Sequence, residues 1–225
     1  MLPTGCESID SLLGGGLVSK RINQVYGSSG TGKTNLCLQV LINAVKSGRK
    51  VAFVDTEGGF SRRRLDQLTG ERSDDFLNEV YLFRVTDFSE QNEVIDDLEN
   101  VDVNLIIVDS LTSLYRPELS EGDFRETNRE LGRQIKVLGR LAESKEIPVL
   151  VTNQVYSDFN SEDGGVIPVG GDILKYGSKV IVQLEKDGGD RRCVLRKHLF
   201  KKEGESALFR IEHTGLKPVE GYDGF

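Results

Sequence analysis

The run Gly27-Ser28-Ser29-Gly30-Thr31-Gly32-Lys33-Thr34 constrains this chain more than any other feature in it. It fits the pattern GxxxxGK[ST] and lies between an apolar, β-branched run, Ile22 to Tyr26, and a helical pattern that begins near Lys33. A strand that turns through glycines into a helix N-terminus offers successive backbone N–H groups to an anion, and the helix dipole favours negative charge there. In that setting Lys33 reaches β- and γ-phosphates and the Thr34 hydroxyl ligates Mg²⁺. The sequence therefore assigns Gly27, Ser28, Ser29, Gly30, Thr31, Gly32, Lys33 and Thr34 to a nucleotide's phosphates.

Around this junction apolar runs alternate with amphipathic segments. Ile22 to Tyr26, Lys50 to Asp55, Val80 to Phe83, Asn104 to Asp109 and Ile147 to Asn153 are short and nearly unbroken, the pattern of strands buried on both faces. Helical patterns begin near Lys33, Ser61, Ser89 and Arg125, the third behind a capping box of Asp87 and Glu90. After Asn153 a glycine- and acid-rich stretch leads to KVIVQLEK, RRCVLRKHLF and ALFRIEH, which read as a C-terminal antiparallel extension of the sheet. The expected fold is α/β: a mostly parallel central sheet with helices on both faces, in a single domain over residues 1–225.

Composition narrows the function classes. With 36 acidic against 29 basic residues the net charge is −7, so a uniformly basic nucleic-acid coat is excluded and any such contact needs a local patch. No apolar run approaches the ~18 residues of a membrane span, and the N-terminus carries no export signal, so no membrane partner and a cytoplasmic location are expected. Cys6, Cys37 and Cys193, like His198 and His213, lack the spacing of a disulfide framework or a metal knuckle.

Two carboxylates complete the nucleotide reading. Asp109 closes the run LIIVD as a strand-end ligand on the metal side of a phosphate loop would. Glu57 follows the strand ending at Asp55, where it can orient and deprotonate an attacking water; capping of the helix near Ser61 is the competing role. The segment DTEG also fits a guanine-nucleotide switch, but no Asn is followed by Lys, so the NKxD guanine reader is missing and ATP is the expected nucleotide.

Gly27–Thr34, Asp55-Thr56-Glu57-Gly58, Asp109-Ser110 and Val151-Thr152-Asn153-Gln154, in this order, resemble the core of the RecA/RadA recombinase family. TGCESIDSLLGGGL resembles the family's opening segment, and Val169-Gly170-Gly171-Asp172-Ile173-Leu174 its PxGGxxL segment. Because the chain begins almost at that core, it is most similar to the short archaeal paralogues of RadA. The resemblance implies a RecA-like P-loop NTPase core, ATP and Mg²⁺ as cofactors, and work in DNA repair and homologous recombination. It implies that Glu57 and Lys33 are catalytic, that Gln154 senses the γ-phosphate and signals to the DNA loop after it, and that Arg64 stacks on adenine. It loosely matches Lys197 with a lysine that reaches a neighbouring subunit's γ-phosphate. Expected partners are single-stranded or branched DNA, with RadA or a junction nuclease as protein partners, and homo-oligomers stay open.

Departures from the family temper this picture. The segment before Gly27 has no room for an additional DNA-binding domain, and none of the ten phenylalanines begins the FxxA segment that links RadA-type subunits. The region matching the second DNA loop, Val155 to Val169, holds Asp158, Glu162 and Asp163 but no Lys or Arg. Slow ATP hydrolysis, little stimulated by DNA, and no strand exchange are therefore expected. The alternatives are an ATP-switched mediator that acts through protein partners, or another RecA-fold ATPase of signalling or helicase type. Candidate DNA contacts are Arg116 in the first loop, Tyr156 and Phe159 in the second, and Arg125 and Arg129. The last two open a stripe continued by Arg133, Lys136 and Arg140 within an arc of roughly 80° on a helix. Glu126, Glu130 and Glu143 interleave, so a solvated, self-paired face competes with a phosphate-binding one.

Overall fold

Residues with two buried faces build the centre of the sheet. The computed structural model describes residues 1–70, 74–121, 123–157 and 166–219. Strands β1 (Ile22–Gly27), β2 (Val51–Asp55), β4 (Leu105–Asp109) and β5 (Val149–Asn153) are buried at every position. Their side chains alternate between two cores. Phe53, Leu105, Ile107 and Leu150 face α2 (Lys33–Lys46), in a core that α1 (Glu7–Leu13) extends, while Ala52, Val54, Ile106, Val108 and Val151 face α5 (Phe88–Asp97) and α7 (Phe124–Ser144). Unbroken apolar runs in the sequence are the direct record of these two cores. On α7, Leu131, Ile135, Leu138, Leu141 and Ala142 are buried, and truncating a fully enclosed residue such as Leu138 to Ala costs about 2–5 kcal/mol.

Nine strands form the main sheet in the order β11-β10-β9-β8-β1-β5-β4-β2-β3, with β3 at Val80–Arg84, β8 at Val180–Asp187, β9 at Asp190–Lys197, β10 at Ser206–Glu212 and β11 at Gly215–Pro218. The pairs from β8 through β1, β5, β4 and β2 to β3 are parallel, and those from β8 to β11 are antiparallel.

The expected antiparallel extension is present, and the KVIVQLEK strand, β8, joins it to the parallel part, pairing parallel with β1 and antiparallel with β9. Two expectations need correction. Strand β3 is not buried on both faces, because it has one neighbour only, and Tyr81 and Leu82 are exposed at this edge. A fourth C-terminal strand, β11, follows the expected three; its Leu216 is buried, and the Gln39 side chain of α2 brackets it through the Leu216 N–H and C=O.

The caps follow their expected chemistry. Asp87 accepts from the Glu90 N–H (2.8 Å), and the Glu90 carboxylate accepts from the N–H of Thr86, just before the cap (2.9 Å). Helix α3 (Arg62–Thr69) is capped by Ser61, whose hydroxyl accepts from Arg64 N, so Glu57 does not serve as its cap. Among the described residues no helix is long and apolar enough to cross a membrane.

Candidate nucleotide site

The phosphate loop lies at the C-terminal ends of the parallel strands. A cleft of about 380 Å³ there is lined by Gly27, Ser29, Gly30, Gly32, Lys33, Thr34, Asn35, Glu57, Arg116, Gln154 and Val155. Gly27 is required by a close approach: a Cβ on it would stand 2.3 Å from the Leu184 carbonyl oxygen of β8. Gly32 takes φ 105°, open to glycine and strained for other residues, as the chain turns into α2. The Lys33 ammonium folds back onto the loop, donating to the carbonyls of Gly27 (2.7 Å) and Ser28 (3.2 Å). Burial lowers its pKa, and the nearby Glu57 and Asp109 carboxylates pull it the other way.

Asp109 and Thr34 are the residues that could hold a metal. Asp109 is 1% exposed; its Oδ1 accepts from the Thr152 hydroxyl (2.5 Å), and its Oδ2 has no hydrogen-bond partner. Burial raises the Asp109 pKa, while the hydrogen bond from the Thr152 hydroxyl pulls it down. Residue 59 is glycine beside this pair, where a Cβ would lie 3.0 Å from Thr34 Cγ2 and 3.6 Å from Asp109 Oδ2. An orphaned carboxylate oxygen, a hydroxyl and space kept clear by glycine are hard-oxygen chemistry that fits Mg²⁺.

The turn after β2 is held on both sides. Asp55 accepts from the N–H groups of Gly59 (2.9 Å) and Phe60 (3.1 Å). Thr56 hydrogen-bonds Asp109 O through its N–H (3.0 Å) and both Ser110 O (2.7 Å) and Ser110 N (2.8 Å) through its hydroxyl. The exposed Glu57 is thereby fixed over the cleft, and its Oε1 accepts from Gln154 Nε2 at 3.0 Å. Gln154 is anchored in turn, its N–H donating to Thr112 Oγ1 (3.2 Å) and its C=O accepting from Val169 N (3.0 Å).

Other expected site residues fall around this centre. Arg64 does not line the cleft: its guanidinium donates to Asn35 Oδ1 (2.8 Å), Gln67 Oε1 (3.2 Å) and the carbonyls of Glu212 and His213 (both 2.9 Å). Lys197 donates to the carbonyls of Lys175 (2.7 Å) and Ser178 (2.8 Å). Arg116, in α6 (Tyr115–Glu121), both lines the cleft and stacks on Tyr156, its Cζ 4.7 Å from the ring centroid. Tyr156 lies in β6 (Val155–Ser157), which pairs with β7 (Val166–Pro168); Phe159 lies outside the described residues.

The basic stripe is largely self-paired. Arg133 Nη1 donates to both oxygens of Asp96 (2.7 and 2.6 Å) and its Nε to Glu130 (2.8 Å), and Arg140 reaches Glu99 at 3.3 Å. Arg129 pairs with Glu126 (3.0 Å) yet stays 72% exposed, and Arg125 is exposed at the start of α7. Thr152, Asn35 and the phosphate-side position of Arg116 were not anticipated as parts of the site. Counting strand register would have found Thr152, since Val108 pairs with Val151 and the next residues on each strand are Asp109 and Thr152.

Comparison with known proteins agrees with this geometry. The sequence profile of the Rad51 family matches residues 1–219. The chain is 42% identical over 221 residues to "DNA repair and recombination protein RadB" of Methanococcoides burtonii, covering 96% of this chain and 97% of that one. It is 38% identical over 223 residues to the protein of the same name from Methanosphaera stadtmanae, covering 96% and 95%. A solved structure described as "Crystal structure of the RadB recombinase" superposes with a TM-score of 0.83 at 42% identity, covering 98% of this chain and all of that one. Phosphate loop, strand-end carboxylates, sheet and relatives lead to one conclusion: the chain belongs to the Rad51 family.

Proposed function

We propose that this chain is an ATP- and Mg²⁺-binding recombinase paralogue of DNA repair and homologous recombination. In this reading it binds single-stranded or branched DNA, hydrolyses ATP slowly with little response to DNA, and performs no strand exchange of its own. The observation that carries the reading is a cleft lined by the phosphate loop with Lys33 and Thr34 and by the hydrogen-bonded Glu57 and Gln154, with the unpartnered Asp109 Oδ2 next to Gly59 and Thr34. The relatives named for DNA repair and recombination supply the biological setting.

In this reading the N–H groups of the loop and Lys33 neutralise the β- and γ-phosphates. Thr34 and Asp109 would hold Mg²⁺, which would supply positive charge to offset that of the phosphates. Glu57 orients water and takes its proton, and Gln154 holds the Glu57 carboxylate in place. Low turnover follows from what is missing around the centre: the sequence lacks FxxA, and the Lys197 ammonium is engaged by carbonyls of its own chain. Transition-state charge then lacks the cation that a neighbouring subunit would supply in trans.

Calorimetry and steady-state phosphate release test the proposal together. Lys33→Ala should lose most ATP affinity without unfolding. Wild-type turnover should be low with or without single-stranded DNA, and lower still in Glu57→Gln. Unchanged ATP binding in Lys33→Ala refutes the site; a large DNA-stimulated rate abolished in Glu57→Gln restores an active recombinase. A mediator working through protein partners is the second reading, favoured by the ion pairs that already engage Arg133 and Arg140. DNA affinity that does not fall with rising salt would select it, because phosphate contacts impose such a slope.

A further inference from the structure

Arg116 is the side chain that joins the cleft to the candidate DNA loop. Its guanidinium lies over the Tyr156 ring, Cζ to centroid 4.7 Å, while the residue lines the same cleft as Lys33, Thr34, Glu57 and Gln154. The backbone beneath it is fixed: its N–H donates to Thr112 O (3.2 Å), and the adjacent Tyr115 is 2% exposed with its hydroxyl on Asn128 (2.9 Å). Motion is left to the long, exposed side chain of Arg116. Tyr156 is 38% exposed and stands two residues beyond Gln154. Among the described residues no carboxylate pairs with Arg116, so the ring is the partner the structure gives it.

A cation–π contact at a partly exposed ring is weaker than a guanidinium–phosphate pair, which is charge-assisted and bidentate. A terminal phosphate in the cleft therefore outcompetes the ring for this cation. We propose that Arg116 is a ligand of the nucleotide's terminal phosphate supplied by the same chain, and that its transfer from Tyr156 to that phosphate uncovers the ring for stacking on a base of single-stranded DNA. The proposal rests on the nucleotide reading above and adds to it a phosphate ligand and a route from nucleotide to DNA. Arg116 then has one place or the other, on the ring or on the phosphate. By reciprocity, a base stacked on Tyr156 favours the triphosphate over the diphosphate by the same factor that the triphosphate favours DNA.

The chain contains no tryptophan, so Tyr156→Trp places a single indole under Arg116. A non-hydrolysable ATP analogue should change its emission, ADP should leave it unchanged, and adding Arg116→Ala should abolish the response. In parallel, calorimetry on Arg116→Ala should show about tenfold weaker binding of the analogue with ADP affinity retained, and Arg116→Lys should recover part of the loss. The same analogue should tighten single-stranded DNA binding by wild type about fivefold and by Arg116→Ala not at all. An emission change that persists in Arg116→Ala, or no change in a protein that calorimetry shows binding the analogue, overturns this inference and leaves the nucleotide site standing. No binding heat for either nucleotide overturns both.

Discussion

At the scale of single residues the site is built by leaving one atom unsatisfied. Asp109 sits in a 1% exposed position with Oδ1 bonded and Oδ2 bare, an arrangement that costs stability in the absence of a cation. Asp109→Asn removes the buried charge and keeps an acceptor for Thr152. The nucleotide-free variant should melt about 2–4 °C higher, the shift that ~1 kcal/mol gives a domain of this size. Magnesium with ATP should stabilise wild type more than the variant, which keeps the loop and Lys33; thermal melts with and without both ligands check the pair of outcomes. A lower melting temperature for the variant would mean that the carboxylate stabilises the resting fold.

Elements decide which parts of the basic stripe are available. The middle and far end of α7 are tied to α5 and its continuation by Arg133–Asp96 and Arg140–Glu99, whereas Arg125 and Arg129 stand exposed near the helix start. Arg125→Ala with Arg129→Ala should weaken DNA binding and flatten its salt dependence by up to about two phosphate contacts. Arg133→Ala should leave DNA binding alone and cost roughly 0–1 kcal/mol of stability, since Arg133 and Asp96 are both more than a third exposed. Fluorescence anisotropy across a salt series and urea melts separate the two variants. Equal losses of affinity in both would make the whole stripe a phosphate-binding face.

The same scale explains what could be read in advance. The central strands were legible because both faces of each carry apolar residues, and the phosphate loop because its chemistry is contiguous in the chain. The two roles of β8 and the one-sided exposure of β3 depend on which strand lies alongside, a fact that no local window contains. Arg116 was legible as a loop cation, but its place over Tyr156 arises where α6 and β6 meet, far apart in sequence. The edge of the Arg64 guanidinium, read in sequence as a planar group suited to adenine, donates to the carbonyls of Glu212 and His213 where β10 turns toward β11, partners that no local window contains.

On the scale of the whole molecule, one of the two cores flanking the sheet, the one that packs under α2, buries all three cysteines. Burial pushes the Cys6, Cys37 and Cys193 thiols above the ordinary range, so each carries less of the reactive thiolate at any given pH. Native protein at pH 8 should resist alkylation by iodoacetamide, and denaturant should expose three reactive thiols per chain, read by mass spectrometry. Rapid native labelling of Cys37 would show that α2, and the phosphate loop with it, lifts from the sheet.

The position of β1 also sets the order in which a growing chain can become competent. The strand that leads into the phosphate loop is made early, but Ile22 must wait for Val149 and Asn23 for Val180 before both edges are paired. Gly27 packs against a carbonyl of β8. During synthesis the loop therefore emerges long before the strands that shape it, and contacts so distant in sequence close slowly. On this ordering the loop takes its shape only once β8, in the last third of the chain, has left the ribosome. A ribosome-bound fragment that stops before Val180 carries the whole GxxxxGK[ST] motif and has no site.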